Sequence, residues 1–236
     1  MRNRLWRVAD LTAVVGLVAI GLVVAVAPRN SPAEPKAPVA VIATATSDQV
    51  RVYHHKGGSH VWKRLDNPNP QGAQLVFLVE SRQPHWVKVL LPVRPNDGEG
   101  WVRAGQVTLS STAYRIDVWL DRHRVVVHHD DKTIMRTTAA VGKHSTPTPT
   151  GRFYLTALLR PPSPHGPYGP YAFGLSAYSD VIYHFGGGPG QIGLHGTDEP
   201  ALLGKSISHG CIRIANKHIT TLAHRLPLGT PVTVHG

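Results

Sequence analysis

The sequence predicts a mostly β protein with one short helix near its C-terminal end. Short runs in which apolar and polar residues alternate, such as residues 86–90 and 116–120, have the two-residue period of half-buried strands. Turn-forming residues, such as those at 95–98, separate the runs. Residues 216–225 instead place apolar side chains at helical spacing, with Asn216 as a plausible cap. A hydrophobic content of 42% in 236 residues is enough for ordinary cores.

The N-terminal segment predicts export through a transmembrane or signal helix. Basic residues precede an apolar run at 11–27, whose length is at the lower limit for spanning a bilayer. Because arginines there favour the cytoplasmic side, the rest of the chain is expected outside the cytoplasm. Residues 25–27 resemble a cleavage site, but Pro28 disfavours cleavage. Residues 1–27 are therefore interpreted as a signal anchor, with a removed signal peptide as the alternative.

Two segments of different composition follow the apolar run. Residues 28–46 are rich in Pro and Ala and predict a semi-extended linker. Residues 47–110 predict a small β-rich module, with strands near 75–79, 86–90 and 100–102.

A second β domain is predicted over residues 112–236. A meander opens this domain, and its strands are expected near residues 116–120, 125–127, 133–135, 153–155, 181–185, 191–195 and 232–234. Residues 146–150 alternate Thr and Pro, which excludes a central strand and predicts a rigid loop. The long loop at 161–171 is either a lid over the substrate or a structural loop. The glycines at 186–190 lack the Lys-Ser/Thr and the following helix of a phosphate-binding loop.

Cys211 is the only cysteine in the sequence, so no intramolecular disulfide can form. His209 lies two residues before it, and His195 lies a short way upstream. A thiol with a pKa near ~8.5 is mostly protonated at neutral pH, and an imidazole can take its proton and return it to a leaving amine. Gly210 lets the backbone approach closely, so that amides can stabilise an oxyanion. This set indicates a cysteine nucleophile, and the alternative is a small buried structural cysteine.

Two motifs around this cysteine resemble the signature of the L,D-transpeptidases, the YkuD-type catalytic domain. The motifs are His195-Gly196-Thr197 and Ser208-His209-Gly210-Cys211-Ile212-Arg213. The resemblance extends over roughly residues 114–234, including 142–143 and 146–153, and the flanking architecture resembles actinobacterial members of the family. It implies a β-sandwich with a short helix for residues 112–236.

The module at 47–110 resembles bacterial SH3-like domains in its pattern of Trp, Val and Gly residues. This resemblance implies an SH3-like β-barrel ahead of the catalytic domain, of a type that often binds cell-wall material. Trp86 and Trp101 either stack on a ligand there or pack in the module's core.

The family resemblance implies a role for each residue of the two motifs. Cys211 would be the nucleophile and His195 the general base and acid, with the backbone carbonyl of Gly196 orienting the imidazole. His209 would line the site and steady the thiolate, or it is a structural histidine. Ser208 would hold the loop.

The same resemblance implies how the site binds its substrate. The amides of Gly210 and Cys211 would form the oxyanion hole. Arg213 would bind a substrate carboxylate or form a structural ion pair. Tyr171, in the long loop, is interpreted as a further substrate-binding residue.

The implied activity is a peptidoglycan L,D-transpeptidase of the cell envelope that forms 3→3 cross-links. Cys211 would attack the tetrapeptide donor stem, release D-Ala and form a thioester, which the side-chain amine of a diamino acid on the acceptor stem resolves. No cofactor is implied, and carbapenems are expected covalent inhibitors. The alternatives are an L,D-carboxypeptidase, in which water resolves the thioester, and a wall-binding protein whose enzyme domain is inactive.

The net charge and the types of candidate metal ligands bear on which partners and metals the protein could bind. The formal net charge of +11 favours an anionic partner, which the carboxylates and phosphates of a cell wall supply. Nucleic acid is disfavoured because the sequence has no helix-turn-helix, finger or RNP pattern. Zinc is a rival because His195, His209 and Cys211 are ligand types, but their spacing is not the common paired one, so no metal is predicted.

Overall fold

Sixteen strands and one α-helix make up residues 40–236, the part of the chain that this computed structural model describes. The mostly β fold with one short helix that the sequence predicts is therefore confirmed. The predicted signal anchor and most of the predicted linker lie outside the described residues. Within residues 40–236, no helix has the length and apolar character that crossing a membrane requires.

Residues 40–112, which we call the N-terminal sheet module, form seven strands. They are β1 (Ala40–Ala45), β2 (Gln49–Tyr53), β3 (Lys63–Asp66), β4 (Val76–Gln83), β5 (Trp86–Leu90), β6 (Glu99–Arg103) and β7 (Val107–Thr112). Their order in the sheet is β3-β2-β6-β5-β4-β1-β7, and every neighbouring pair is antiparallel. The SH3-like interpretation of this module stays a prediction.

Two details of the N-terminal sheet module bear on the sequence predictions. Residues 40–45 were expected to end the linker, but they form β1, which pairs with β4 and β7 and buries Ile42, Ala43 and Ala45. Trp86 is buried and meets Tyr53 edge-on at 5.1 Å, as expected for a core residue, whereas Trp101 is half-buried.

The second part of the described chain forms nine strands and the α-helix. They are β8 (Tyr114–Trp119), β9 (Arg124–His129), β10 (Lys132–Gly142), β11 (Gly151–Leu159), β12 (Ala172–Tyr178), β13 (Gln191–His195), β14 (Ser206–Ser208), β15 (Ile212–Ile214), α1 (Asn216–Ala223) and β16 (Pro231–His235). The sheet order is β14-β10-β15-β13-β12-β11-β16-β8-β9.

Two long strands, β10 and β11, belong to both halves of this sheet, which folds over a common core. The first half of β10 pairs with β9, and its residues 139–140 pair with β15. Residues 151–154 of β11 pair with β16, and residues 155–159 pair with β12. The two halves of the sheet therefore share β10 and β11, and they enclose a core built from buried apolar residues that include Phe153, Phe173, Ile212 and Ile219.

One predicted strand of this part is wrong. Residues 181–185 form an irregular loop in which Val181, Tyr183 and Phe185 are exposed, and the strand lies earlier, at β12. β12 is buried on both faces for six of its seven residues, so it lacks the alternation by which strands are recognised.

An apolar cluster joins the N-terminal sheet module to the second part of the described chain. Ile42, Leu78 and Leu90 of the N-terminal sheet module pack around Tyr154 of β11, which is fully buried and donates its hydroxyl to Leu90 O at 3.3 Å. Gly229 lies so close to Ile42 that a Cβ there would contact the Ile42 side chain. The N-terminal sheet module is therefore packed onto the rest of the fold rather than tethered by a linker.

Candidate active site

The parallel pairing of β13 and β15 brings the two predicted catalytic residues to one edge. His195 ends β13, and Cys211 directly precedes β15, with Leu194 opposite Ile212 in the register. A histidine and a cysteine that are separated along the chain thus lie on neighbouring strands. Sequence reasoning expected the two residues to meet, and the pairing places them together.

The thiol and the imidazole meet over Gly193, a residue that sequence reasoning did not single out. The Gly193 amide donates to Cys211 Sγ at 3.3 Å. A Cβ built on Gly193 would lie 3.8 Å from Cys211 Sγ and 3.6 Å from His195 Cδ2. Both reactive groups therefore border one small space that a glycine leaves free, and a substrate carbonyl entering it would contact both.

His195 is held by its own neighbour in the chain. Its Nδ1 donates to the carbonyl of Gly196 at 2.6 Å, the partner that the resemblance implied. This bond assigns the proton to Nδ1 and leaves Nε2 free to accept a proton. His195 is only 3% exposed, and burial lowers its pKa to about 4, against the opposing effect of the Gly196 hydrogen bond.

Asn216 fixes the turn that carries the Gly196 carbonyl. It was predicted to cap α1, but no side chain caps this helix, and Asn216 Oδ1 instead accepts the amide of Thr197 at 2.8 Å. Gly196 and Gly169 approach Asn216 so closely that a Cβ on either would overlap its Oδ1. The first residue of the helix thus holds the segment after His195.

A network of hydroxyl groups shapes the loop before Cys211. Ser208 Oγ accepts from the Gly210 amide at 3.1 Å and donates to the Cys211 carbonyl at 2.6 Å, so Ser208 holds the loop as expected. Thr146 donates to the Ser208 carbonyl at 3.0 Å, and Thr148 donates to the Gly210 carbonyl at 2.8 Å. The Thr-Pro segment therefore clamps the nucleophile loop from the side.

The oxyanion prediction needs a correction at Gly210. Its amide is not free, because the Ser208 hydroxyl two residues earlier accepts it. Gly210 serves the loop through its conformation, with φ at +114°, a region that favours glycine. The amide that points at the sulfur is that of Gly193.

Two cavities open on either side of the reactive pair. A cavity of about 450 Å³ extends past Leu159 and Arg160 to Gln71 of the N-terminal sheet module. A smaller one of about 150 Å³ is lined by residues that include His209 and Arg213. The two cavities share four lining residues, which are Tyr168, Phe185, His195 and Cys211. Both cavities therefore reach the thiol and the imidazole.

The predicted substrate-binding residues are only partly brought to the site. Arg213 lines the smaller cavity and donates to Glu199 at 3.3 Å, while its Nε is buried with no hydrogen-bond partner among the described residues. Tyr171 does not line either cavity, because its ring packs on the core and faces His224. Tyr168, which sequence reasoning missed, lies there instead, with its ring 4.9 Å from that of His195.

His209 lies at the rim of the site. Its ring is exposed and stacks on Phe185 at 5.4 Å. Among residues 40–236, no group of three or more His, Cys, Asp or Glu side chains is placed to hold a metal ion. The role of His209 in stabilising a thiolate stays a prediction.

Burial opposes charge on both reactive groups. It raises the pKa of the Cys211 thiol, although the Gly193 amide and the Arg213 charge act in the opposite direction. The thiol and the imidazole are therefore both neutral at neutral pH, rather than a thiolate–imidazolium pair. A neutral thiol of this kind reacts as a nucleophile only if a base such as an unprotonated imidazole nitrogen takes its proton.

The neutral resting pair predicts a specific pH dependence of Cys211 alkylation. The raised thiol pKa removes thiolate at neutral pH, and the lowered imidazole pKa removes the imidazolium that would stabilise it. We expect the iodoacetamide alkylation rate to stay low between about pH 5 and 7 and to rise only in alkaline solution, above the usual thiol pKa of ~8.5. Mass spectrometry at a series of pH values measures this rate. A fast plateau between about pH 5 and 7 would indicate an ion pair.

Comparison with known proteins shows the family to which this chain belongs. The L,D-transpeptidase catalytic domain of the YkuD family matches residues 113–234. A putative L,D-transpeptidase YkuD of Bacillus licheniformis is 34% identical over 154 residues, which are 62% of this chain and 85% of that protein. The putative YkuD of Bacillus subtilis is 37% identical over 122 residues, 52% of this chain and 66% of that protein. L,D-transpeptidase 3 from Mycobacterium tuberculosis, solved in complex with a faropenem-derived adduct, is 17% identical, with 67% and 98% of the two chains covered and a TM-score of 0.43.

A mostly β fold with a cysteine and a histidine at one strand edge is suited to acyl transfer. The family match makes the class specific, because this chain belongs to the YkuD-type L,D-transpeptidases, a family of cysteine-dependent acyltransferases involved in peptidoglycan cross-linking. The resemblance of its flanking architecture to actinobacterial members stays a prediction.

Proposed function

We propose that this chain forms 3→3 cross-links in peptidoglycan through a thioester at Cys211. The observation that carries the proposal is the space over Gly193, which Cys211 Sγ and the His195 imidazole both border. Nucleophile and base are there within reach of one substrate carbonyl. The orientation of His195 by the Gly196 carbonyl supports the same roles.

In the first half-reaction, Cys211 Sγ attacks the carbonyl of the third residue of a tetrapeptide stem. His195 Nε2 takes the thiol proton and passes it to the amine of the terminal D-Ala as the carbon–nitrogen bond breaks. D-Ala leaves, and the stem remains on Cys211 as a thioester. The Gly193 amide at the sulfur stabilises the thiolate character that Cys211 gains as its proton moves to His195, whereas the charge of the tetrahedral intermediate develops on the carbonyl oxygen.

In the second half-reaction, the side-chain amine of a diamino acid on another stem attacks the thioester. His195 accepts the proton of that amine and returns it to the sulfur as the carbon–sulfur bond breaks, which regenerates the thiol. The two cavities that meet at Cys211 support a donor on one side and an acceptor on the other. Arg213 lines the smaller cavity, and its fixed positive charge supports binding of a stem carboxylate there.

The basic charge supports a location in the cell envelope, next to an anionic polymer. With water as the acceptor, the same thioester would give an L,D-carboxypeptidase. The open mouths of the two cavities leave water as a competing nucleophile.

The proposed function predicts one covalent adduct at Cys211. Protein lacking only residues 1–27 is incubated with a carbapenem, and its intact mass is measured for wild type and for Cys211→Ala. We expect a single adduct on wild type and none on the variant, because the thioester needs the sulfur. Absence of an adduct on folded wild type would contradict the acyl-enzyme proposal and favour a wall-binding protein.

A second arm identifies the acceptor. A disaccharide-tetrapeptide is supplied as both donor and acceptor, and the products are separated by mass. A cross-linked dimer with released D-Ala supports the transpeptidase, whereas released D-Ala with no dimer identifies the carboxypeptidase. Cys211→Ala should release no D-Ala in either case.

A further inference from the structure

An irregular loop between β12 and β13 forms part of the candidate active site. We call residues 179–190 the 179–190 loop. Its Phe185 lines both cavities beside Cys211 and stacks on His209. The position of this loop therefore sets the width of the space that a substrate must enter.

The 179–190 loop needs external support to keep one conformation. Its tip contains Gly186, Gly187 and Gly188, and the first two have positive φ angles of 57° and 82°. Glycine loses more conformational freedom on ordering than other residues do. The hydrogen bonds within the loop lie at its base and its tip: the Ser179 amide donates to Gly190 O at 2.9 Å, Ser179 Oγ accepts the amides of Val181 and Ile182 at 3.4 and 3.0 Å, and Phe185 and Gly188 bond to each other across the tip.

Arg94 of the N-terminal sheet module supplies that support. Its Nη1 donates to the carbonyl of Pro189 at 2.7 Å, near the end of the loop. Its Nη2 donates to Ser179 O at 2.9 Å and to Ile182 O at 3.0 Å, near the start of the loop. One side chain thus ties both ends of the loop together.

The contact also requires the shape of a guanidinium. The Arg94 guanidinium lies over the rings of Tyr178 and Tyr183, at 4.8 Å from each centroid. A planar fork can donate to three carbonyls while it stacks on two rings, and a lysine ammonium cannot do both. Asn96 adds two hydrogen bonds to the backbone of Tyr178: its Nδ2 donates to the carbonyl at 2.7 Å, and its Oδ1 accepts the amide at 2.9 Å.

The module that carries Arg94 is itself fixed to the catalytic part. The Tyr154 cluster packs it there, and Gln71 of the same module lines the larger active-site cavity. The N-terminal sheet module therefore meets the substrate space directly through Gln71 and indirectly through Arg94.

We propose that Arg94 is a positioning residue for substrate binding, and that the N-terminal sheet module is a component of the active site. This role differs from wall binding and from spacing the enzyme away from the membrane. It rests on the proposed function, because the substrate is taken to be a stem peptide. Arg94 acts through Phe185, which borders the space beside Cys211.

The first test compares Arg94→Lys with Arg103→Lys. Arg103 belongs to the same module and also stacks on two rings, those of Tyr53 and Trp86, but these contacts lie within the module. We expect Arg94→Lys to raise KM for the tetrapeptide donor about tenfold with little change in kcat. A tenfold change corresponds to the loss of one or two charged hydrogen bonds. Arg103→Lys should leave KM unchanged. Hydrogen exchange should accelerate in the 179–190 loop only in Arg94→Lys.

The second test keeps the Arg94 side chain and disturbs its contacts from the loop side, because a Cβ on Gly190 would lie 3.2 Å from Arg94 Nη2. Gly190 has φ at +72°, and a Cβ there would overlap the carbonyl oxygen of Ile182, whereas a Cβ on Gly186 would have open space around it. Gly190→Ala should therefore open the base of the loop and raise KM as Arg94→Lys does. Gly186→Ala has similar backbone strain and serves as the matched control.

The outcomes separate the two proposals. Failure of wild type to react with donor or carbapenem would remove the proposed function, while the exchange comparison would still test the positioning of the loop. If Arg94→Lys and Gly190→Ala both match their controls in KM and in loop exchange, the positioning role is overturned. If Arg94→Lys does not fold, Gly190→Ala against Gly186→Ala decides the question.

Discussion

Replacing His195 with Gln is expected to lower the rate of Cys211 acylation by about 10³-fold, within the range that general-base groups contribute. Burial raises the thiol pKa, so little thiolate exists without a base. In the proposed mechanism, the thiol proton passes to the imidazole during attack. Acylation by a carbapenem, followed by intact mass over time, measures the loss.

His209→Gln is the matched control for this variant. His209 is exposed at the rim and stacks on Phe185, so its replacement should change the rate by less than about tenfold. Equal losses in the two variants would contradict the assignment of His195 as the base. The melting temperature of each variant shows whether a loss of rate reflects a loss of fold.

The acid limb of the acylation rate follows from the same imidazole. With a pKa of about 4, His195 stays neutral from neutral pH down to mildly acidic solution. Protonation below that value removes the base, so the rate falls as the pH falls through about 4 and not through the usual histidine value. The wild-type profile therefore reports the burial of His195 directly.

Much of the fold could be predicted because the relevant segments alternate apolar with polar or small residues along the sequence. Strands β5 and β13 were predicted at residues 86–90 and 191–195, and both are confirmed with these bounds. β12 was missed because it is buried on both faces, and the exposed apolar residues at 181–185 imitated a strand. A pattern of alternation reports exposure, so it fails where a strand has no exposed face or a loop carries apolar side chains.

The residues of the candidate site also differ in whether the sequence alone identifies them. Cys211, His195 and Ser208 could be named because their side chains form a recognisable motif in the chain. Gly193 could not be named, since its contribution is an amide and an empty space, which only the pairing of strands reveals. Arg94 lies on a different module, and its contacts span more than 80 residues of sequence. Local patterns carry no information about such contacts.

Filling the space over Gly193 is expected to cause the second large loss of acylation rate. Gly193→Ala places a methyl group 3.8 Å from Cys211 Sγ and 3.6 Å from His195 Cδ2, in the space that the proposed mechanism assigns to the substrate carbonyl. We expect the acylation rate to fall by about 10²-fold, because a displacement near 1 Å from reacting geometry costs about that much. Gly193 has no positive φ, so alanine adds no backbone strain.

Stability separates this effect from damage to the fold. The new Cβ would lie 3.3 Å from Phe173 O, which requires a shift of a few tenths of an ångström and a small change in melting temperature. Gly105→Ala, with open space around its Cβ, is the control and should keep both rate and stability. A Gly193→Ala variant that acylates at the wild-type rate would show that the substrate approaches Cys211 from another side. The thiol would then have to meet its base outside the space over Gly193.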